Sequence, residues 1–206
     1  LNLWYNISII YFLKGEAFMN FIKTKEEWII KTPRMEVVNV EYEDEHGNPE
    51  LIHTIIRSRP SVAIIVRHEG KIAFIKQFRS TTGEFYIELP AGLLEEGETE
   101  EMAAVRETEE ETGIVVSNVK VLVKGPSLLD PSKSNENYGV AIADMVGKKK
   151  RHLDKTEKID DQIIWLEENF VFKKLREQLF KGEKFYENLF LSGHSLYALM
   201  AYMISK

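Results

Sequence analysis

Residues 92–114 read GLLEEGETEEMAAVRETEEETGI, and this stretch decides how the rest of the chain is read. Between Glu95 and Glu111 it carries nine glutamates against one basic residue, Arg106. Thr99 to Thr112 reads as a helix, with Thr99 as N-cap and Gly113 at the C′ position, where a left-handed residue ends a helix. On a helix advancing about 100° per residue, Glu107 and Glu111 lie one turn apart with Glu110 on their flank. Met102, Val105, Thr108 and Thr112 fall on a different face, which is expected to pack against a sheet. Most charge runs are solvated helix faces. Like charges one turn apart repel, however, and more so when partly buried. Three carboxylates kept together without lysine partners point to a held cation. An all-oxygen donor set suits a hard ion, Mg²⁺ or Mn²⁺, better than zinc.

Outward from this helix the pattern is that of strands. Val62–Val66 is a buried run, and His68-Glu69-Gly70-Lys71 turns it back into Ile72–Phe78. Phe85, Ile87 and Leu89 alternate with Tyr86 and Glu88. Val119–Val123, Tyr138–Met145 and Gln162–Leu166 are further strands, and helical patterns over Phe170–Phe180 and Tyr186–Ile204 close the chain. Upstream, Met35–Glu41 and Leu51–Ile56 flank the polar turn Asp44–Pro49 as a hairpin.

Composition narrows the class of function. The 206 residues are 44% hydrophobic and 29% charged, ordinary for a soluble globular chain. A net charge of -6 argues against a general binder of nucleic acid or anionic membrane. The absence of cysteine excludes disulfides, thiolate chemistry and iron–sulfur clusters, and fits a cytoplasmic protein. His46, His53, His68, His152 and His194 are scattered, no two at metal-ligand spacing, and each reads as a surface or satisfied residue. Gly-x-Ser-x-Gly, Gly-x-Gly-x-x-Gly and the Gly-Lys-Ser/Thr phosphate loop are all missing.

Gly92, Glu98, Arg106, Glu107, Glu110, Glu111, Gly113 and Ile114 stand where the Nudix box, G-x5-E-x7-R-E-U-x-E-E-x-G-U, requires them, and the chain resembles that family. Eight of nine specified positions match; Thr108 stands where a bulky aliphatic residue is usual. Flanking segments resemble the ADP-ribose pyrophosphatase branch: Lys76-Gln77-Phe78-Arg79, then Glu88-Leu89-Pro90-Ala91-Gly92, and after the box Asp130-Pro131-Ser132. Ser80 replaces the proline that usually follows the Q-F-R motif.

The resemblance implies an α/β (α+β) fold, an α/β/α sandwich with a mixed sheet, preceded by a small antiparallel β N-terminal layer. The implied boundaries are 19–59 for that layer and 60–206 for the hydrolase domain. The implied activity is Mg²⁺-dependent hydrolysis of ADP-ribose to AMP and ribose 5-phosphate. Another nucleoside diphosphate sugar, such as GDP-mannose, or a non-catalytic ligand sensor, are the alternatives. Carried over by position, Glu107 and Glu111 are metal ligands, joined by the Ala91 carbonyl and with Glu98 closing the loop onto the helix. Glu110 is a ligand or its neighbour, and Arg106 orients the glutamates. Arg79 contacts the diphosphate, Glu88 looks into the site, and Pro131, where the branch keeps a proline, is a substrate-binding residue. Trp28 is expected to stack on adenine. A late-loop carboxylate completes the set, Glu157 ahead of Asp160 and Asp161. The front layer is too small to hold its own core and is expected to build a homodimer.

Residues 1–18 stand apart. Leu1–Leu13 is apolar but shorter than the roughly 20 residues that span a bilayer. Met19 opens a conventional polar start, and Lys14-Gly15-Glu16 is encodable by a purine-rich run of the ribosome-binding type. The expectation is therefore that residues 1–18 are upstream sequence read through.

Overall fold

The computed structural model describes residues 21–32, 35–124, 134–153 and 158–206, with backbone alone for residues 50–58. Three strands come first among the described residues: β1 (Ile22–Lys31), β2 (Met35–Glu43) and β3 (Pro49–Ser58). They form a separate antiparallel sheet in the order β1-β2-β3. The turn between β2 and β3 is held by Asp44, whose Oδ1 accepts the amides of His46 and Asn48 at 2.8 and 2.9 Å. This is the expected N-terminal β layer, with one strand more than the hydrophobic pattern announced. In β1 charged residues interrupt the apolar ones, and it is exposed along nearly its whole length, so no alternation marks it.

The body is built on β4 (Ser61–His68), β5 (Lys71–Arg79), β6 (Glu84–Glu88), β7 (Ala91–Leu93), β8 (Ile114–Val123), β9 (Tyr138–Lys148) and β10 (Ile164–Glu167). The main order is β10-β5-β4-β9-β8, with β6 paired to β5 and β7 to β4. β4 and β9 run parallel while the other pairs are antiparallel, so the sheet is mixed. Helix α1 (Glu100–Thr112) covers one face; α2 (Glu168–Lys181) and α3 (Gly193–Ile204) cover the other. β4 shows why the run 62–66 is uninterrupted by polar residues. Val62, Ile64 and Val66 pack with Ala103, Ala104 and Ile114 on the α1 side. Ala63 and Ile65 pack with Phe74, Val171, Leu175 and Leu199 on the other. A strand with helices on both faces needs apolar residues at every position.

Two details differ from the sequence reading. Met102 is 56% exposed and does not face the sheet; Ala103 and Ala104, fully buried, make that contact and let the helix approach closely. Thr108 is also fully buried, its hydroxyl donating to the Ala104 carbonyl at 2.7 Å, so the missing aliphatic residue leaves no orphaned polar atom. The last helix begins at Gly193, not at 186: residues 186–189 form a tight turn, and 190–192 run beside β6, where Ile87 N donates to Phe190 O and Ser192 N to Ile87 O.

The ends of α1 are fixed as the sequence suggested. Thr99 Oγ1 accepts the Met102 amide at 3.3 Å, and Gly113 sits at φ 70° with its amide donating to Glu109 O. A Cβ at Gly113 would lie 2.6 Å from the Lys149 carbonyl oxygen, so both handedness and space demand glycine. The helix therefore passes into β8 with no intervening loop, which sets its glutamates at a fixed height over the sheet. Among the described residues no helix is long and apolar enough to cross a membrane.

Candidate functional site

A cavity of about 870 Å³ opens over the N-terminal end of β4 and the exposed flank of α1. Glu107, Glu110, Glu111 and Arg106 line it from the helix, Ala91, Gly92 and Leu93 from β7, and Arg79 and Glu88 from β5 and β6. Tyr138 of β9 and Gly193 and His194 of α3 close the opposite side.

Each group on the α1 side is placed by a specific contact. β7 pairs with β4, setting Gly92 against Val62 and Ala91 against Ala63. A Cβ on Gly92 would fall 2.0 Å from the Glu107 carboxyl carbon, so the absent side chain is the space that carboxylate occupies. Glu111 Oε2 accepts the Ala91 amide at 3.0 Å. Arg106 grips Glu98 with two bonds of 2.9 and 2.8 Å, and reaches Glu107 at 2.6 Å, Glu110 at 3.2 Å and the Leu93 carbonyl at 3.0 Å. Glu98 also accepts the Glu95 amide at 2.8 Å, so it fastens the loop to the helix. The bonds from Arg106 hold the Glu98 carboxyl below its usual range, and those from Glu98 and Glu107 push the Arg106 guanidinium well up against the effect of its burial.

The far wall is a second set of ion pairs. Glu88 is fully buried at the end of β6. Arg79 Nε donates to its Oε1 at 2.8 Å and Nη2 donates to Oε2; His194 Nε2 lies 3.1 Å from Oε2. Burial alone would raise the Glu88 carboxyl, but the bonds from Arg79 and His194 outweigh it and hold it below the ordinary value. The His194 ring stands parallel to that of Tyr138, 8° between planes and 6.3 Å between centroids. Burial and a bond to Glu136 push the Tyr138 hydroxyl well up, so it stays neutral.

Of the residues expected at the site, the fold thus brings together Arg79, Glu88, Ala91, Arg106, Glu107, Glu110 and Glu111, with Glu98 just behind Arg106. Ala91 meets Glu111 through its amide, and Glu98 is occupied by Arg106 and the Glu95 amide. Trp28 is not brought there. It lies on β1, 47% exposed, with Lys31 Nζ 4.6 Å over its ring, and does not line this cavity. Asp160 and Asp161 are also away from it: the first turns toward Lys76, and the second is solvent-facing beside Arg151. Glu157 and Pro131 lie outside the described residues. His152, Tyr138 and His194 line the cavity although no motif in the sequence marks them. His194 is a satisfied histidine, as expected of an isolated one, but its partner is a residue of the site. The return of residues 190–192 along β6 brings the two together.

The donor set suits a hard divalent cation. Glu107 and Glu111 are 6% and 2% exposed, and one guanidinium answers Glu98, Glu107 and Glu110 together, leaving excess negative charge in a nearly dry place. Among the described residues no three carboxylates converge on one point, since Arg106 draws Glu107 and Glu110 toward itself.

The NUDIX domain family model matches residues 57–187, well over half of the chain. This chain belongs to the Nudix family. Its domain is 38% identical over 117 residues to "Putative nudix hydrolase 2" of Caenorhabditis elegans, covering 52% of each chain. It is 33% identical over 126 residues to "ADP-ribose pyrophosphatase" of Bacillus subtilis strain 168, covering 60% of this chain and 67% of that one. The match thus spans about half the length of the nematode relative and two thirds of the bacterial one. A solved structure titled "Crystal structure of ADP compounds hydrolase" shares the fold, with a TM-score of 0.70 at 17% identity over 93% of this chain and 96% of that one.

Two outcomes follow from this geometry. Gly92→Ala is expected to displace the Glu107 carboxylate and weaken Mn²⁺ binding about 10- to 100-fold, read as free ion by electron paramagnetic resonance. Unchanged affinity would show that Glu107 takes no part in holding the ion. The second concerns Glu88, whose folded carboxyl titrates below the 4.5 of an ordinary glutamate. Its ion pairs therefore stabilise the fold above that pH and lose their contribution as pH falls through the folded value. Glu88→Gln is expected to be about 2–4 kcal/mol less stable than wild type near neutrality, and urea titrations should show that gap narrowing below pH of about 4.5.

Proposed function

We propose that this Nudix domain hydrolyses ADP-ribose to AMP and ribose 5-phosphate with Mg²⁺ as cofactor, Mn²⁺ being a workable substitute. The observation that carries the reading is the opposition, within one cavity, of a carboxylate-rich wall and an arginine-bearing wall. A nucleoside diphosphate sugar is doubly anionic at its diphosphate, and needs cations on the acidic side and a guanidinium on the other. The relation to the Bacillus subtilis ADP-ribose pyrophosphatase supports the choice among such substrates.

Glu107 and Glu111 would hold the metal, with Glu110 beside them and the backbone of Ala91 and Gly92 completing the cradle. The chemistry a divalent cation supplies when bound is neutralisation of the diphosphate charge and acidification of a nearby water. The protein's own residues do the remaining work. Arg106 keeps Glu107 and Glu110 aimed into the cavity by pulling on both from one side. Glu88 holds the Arg79 fork by its Nε and one Nη, which leaves the other Nη for a phosphate oxygen. Attack of water on one phosphorus breaks the P–O–P bridge, and the proton passes to a carboxylate, Glu110 or Glu157 in the late loop. Trp28, outside the cavity of its own chain, meets adenine in this reading only across a homodimer built by β1–β3. The exposed Ile22, Ile29 and Ile30 on β1 support that association. A cytoplasmic location goes with these substrates.

The direct test offers ADP-ribose, GDP-mannose, ADP-glucose and NADH separately with Mg²⁺ at mildly alkaline pH, products being separated by chromatography. AMP is expected fastest from ADP-ribose, with Glu111→Gln losing about 100-fold or more. Turnover of another sugar nucleotide alone would discard the substrate assignment, and binding without turnover would make the domain a sensor. Light scattering at micromolar concentration is expected to read twice the 23.9 kDa chain mass; a monomer would remove Trp28 from the site.

A further inference from the structure

Arg79 and Glu88 cancel each other's charge, so the arginine-bearing wall is no more positive than their pair allows. His194 is the third member of that cluster. Its Nε2 lies 3.1 Å from Glu88 Oε2 and 3.4 Å from Ser192 Oγ, and its side chain is 21% exposed on the cavity. It is also held firmly. Ser195 Oγ, one position on, accepts the Leu89 amide at 2.9 Å and a bond from Ser192 Oγ at 3.1 Å, pinning the first turn of α3 to the chain after β6. Tyr138 flanks the ring on its other side.

We propose that His194 is a phosphate-binding residue of this site, whose imidazolium form supplies the net positive charge of the wall opposite the carboxylates. The inference rests on the reading that the cavity takes a diphosphate. The groups facing His194 are Glu88, which favours its charge, Arg79 and the positive end of α3, which oppose it, and Ser192 and Tyr138, which are neutral. A phosphate oxygen at the imidazole would be a second negative partner beside Glu88, and the charged ring binds it more tightly than the neutral one. An imidazole changes charge near neutrality, which a guanidinium cannot do. Phosphate affinity on this wall is thereby tied to pH, tightest on the acid side, whereas Arg79 alone would give no such dependence.

The test uses the full chain and inorganic pyrophosphate as probe, by isothermal titration calorimetry in EDTA at pH 6.0 and 8.0. Wild type is expected to bind about tenfold more tightly at the lower pH, although pyrophosphate carries less charge there. His194→Lys should bind tightly at both, and His194→Gln weakly at both. The same variants assayed with ADP-ribose and Mg²⁺ should move KM far more than kcat, with lysine restoring it. Wild-type binding that is absent, or no tighter at pH 6.0, overturns the proposal, as does a pH dependence that survives in both variants. If the pyrophosphate pattern holds but ADP-ribose is not cleaved, the inference stands and the assigned substrate falls. Cleavage of ADP-ribose that is indifferent to residue 194 keeps the substrate and overturns the role of His194.

Discussion

Arg106 is the charge on which the site depends. One guanidinium meets Glu98, Glu107, Glu110 and the Leu93 carbonyl, so it joins the loop before the helix, the helix itself and the end of β7. Without it, several carboxylates would stand within a few ångströms of one another beside an apolar sheet, an arrangement that costs free energy both by repulsion and by desolvation. With it, they are oriented and partly neutralised, but the acids still outnumber the base. That residual negative charge suits a cation, and the fold tolerates it because α1 is anchored at both ends and by Ala103 and Ala104 beneath.

The opposite wall solves a different problem by similar means. Glu88 is as buried as any core residue, and it is tolerated only because Arg79 and His194 converge on it. The two walls are thus mirror images in sign. One is acids gathered around a single base, the other bases gathered around a single acid. Tight sheet geometry sets the distance between them, since β7 and β9 both pair with β4 while β6 pairs with β5.

Local features of the chain are readable from the sequence, and long-range ones are not. The α1 glutamates, its caps and the doubly buried β4 follow from spacing and side-chain chemistry alone, and their positions hold. Met102 departs from the pattern because helical periodicity weighs apolar character, whereas close packing on a sheet selects small residues such as Ala103 and Ala104. β1 carries no alternating pattern because neither of its faces is covered in one chain. His194 lies 106 residues from Glu88, so no motif could join them; the turn over 186–189 and the short run 190–192 along β6, whose composition suggests helix, make the connection. Trp28 is assigned to the site by resemblance alone, and it does not line the cavity of its own chain.

The abrupt passage from α1 through Gly113 into β8 has an evolutionary corollary. Thr99 and Gly113 are both tied down, so a residue inserted or deleted between them would swing Glu107 or Glu111 by roughly 100° relative to one anchor. Substitutions on this helix can be explored one at a time, but changes of length cannot. Variation in chain length among descendants of this sequence should therefore collect where the backbone has open space, such as the turns around Gly47 and Gly83. The interval from Gly92 to Gly113 should keep the same number of residues.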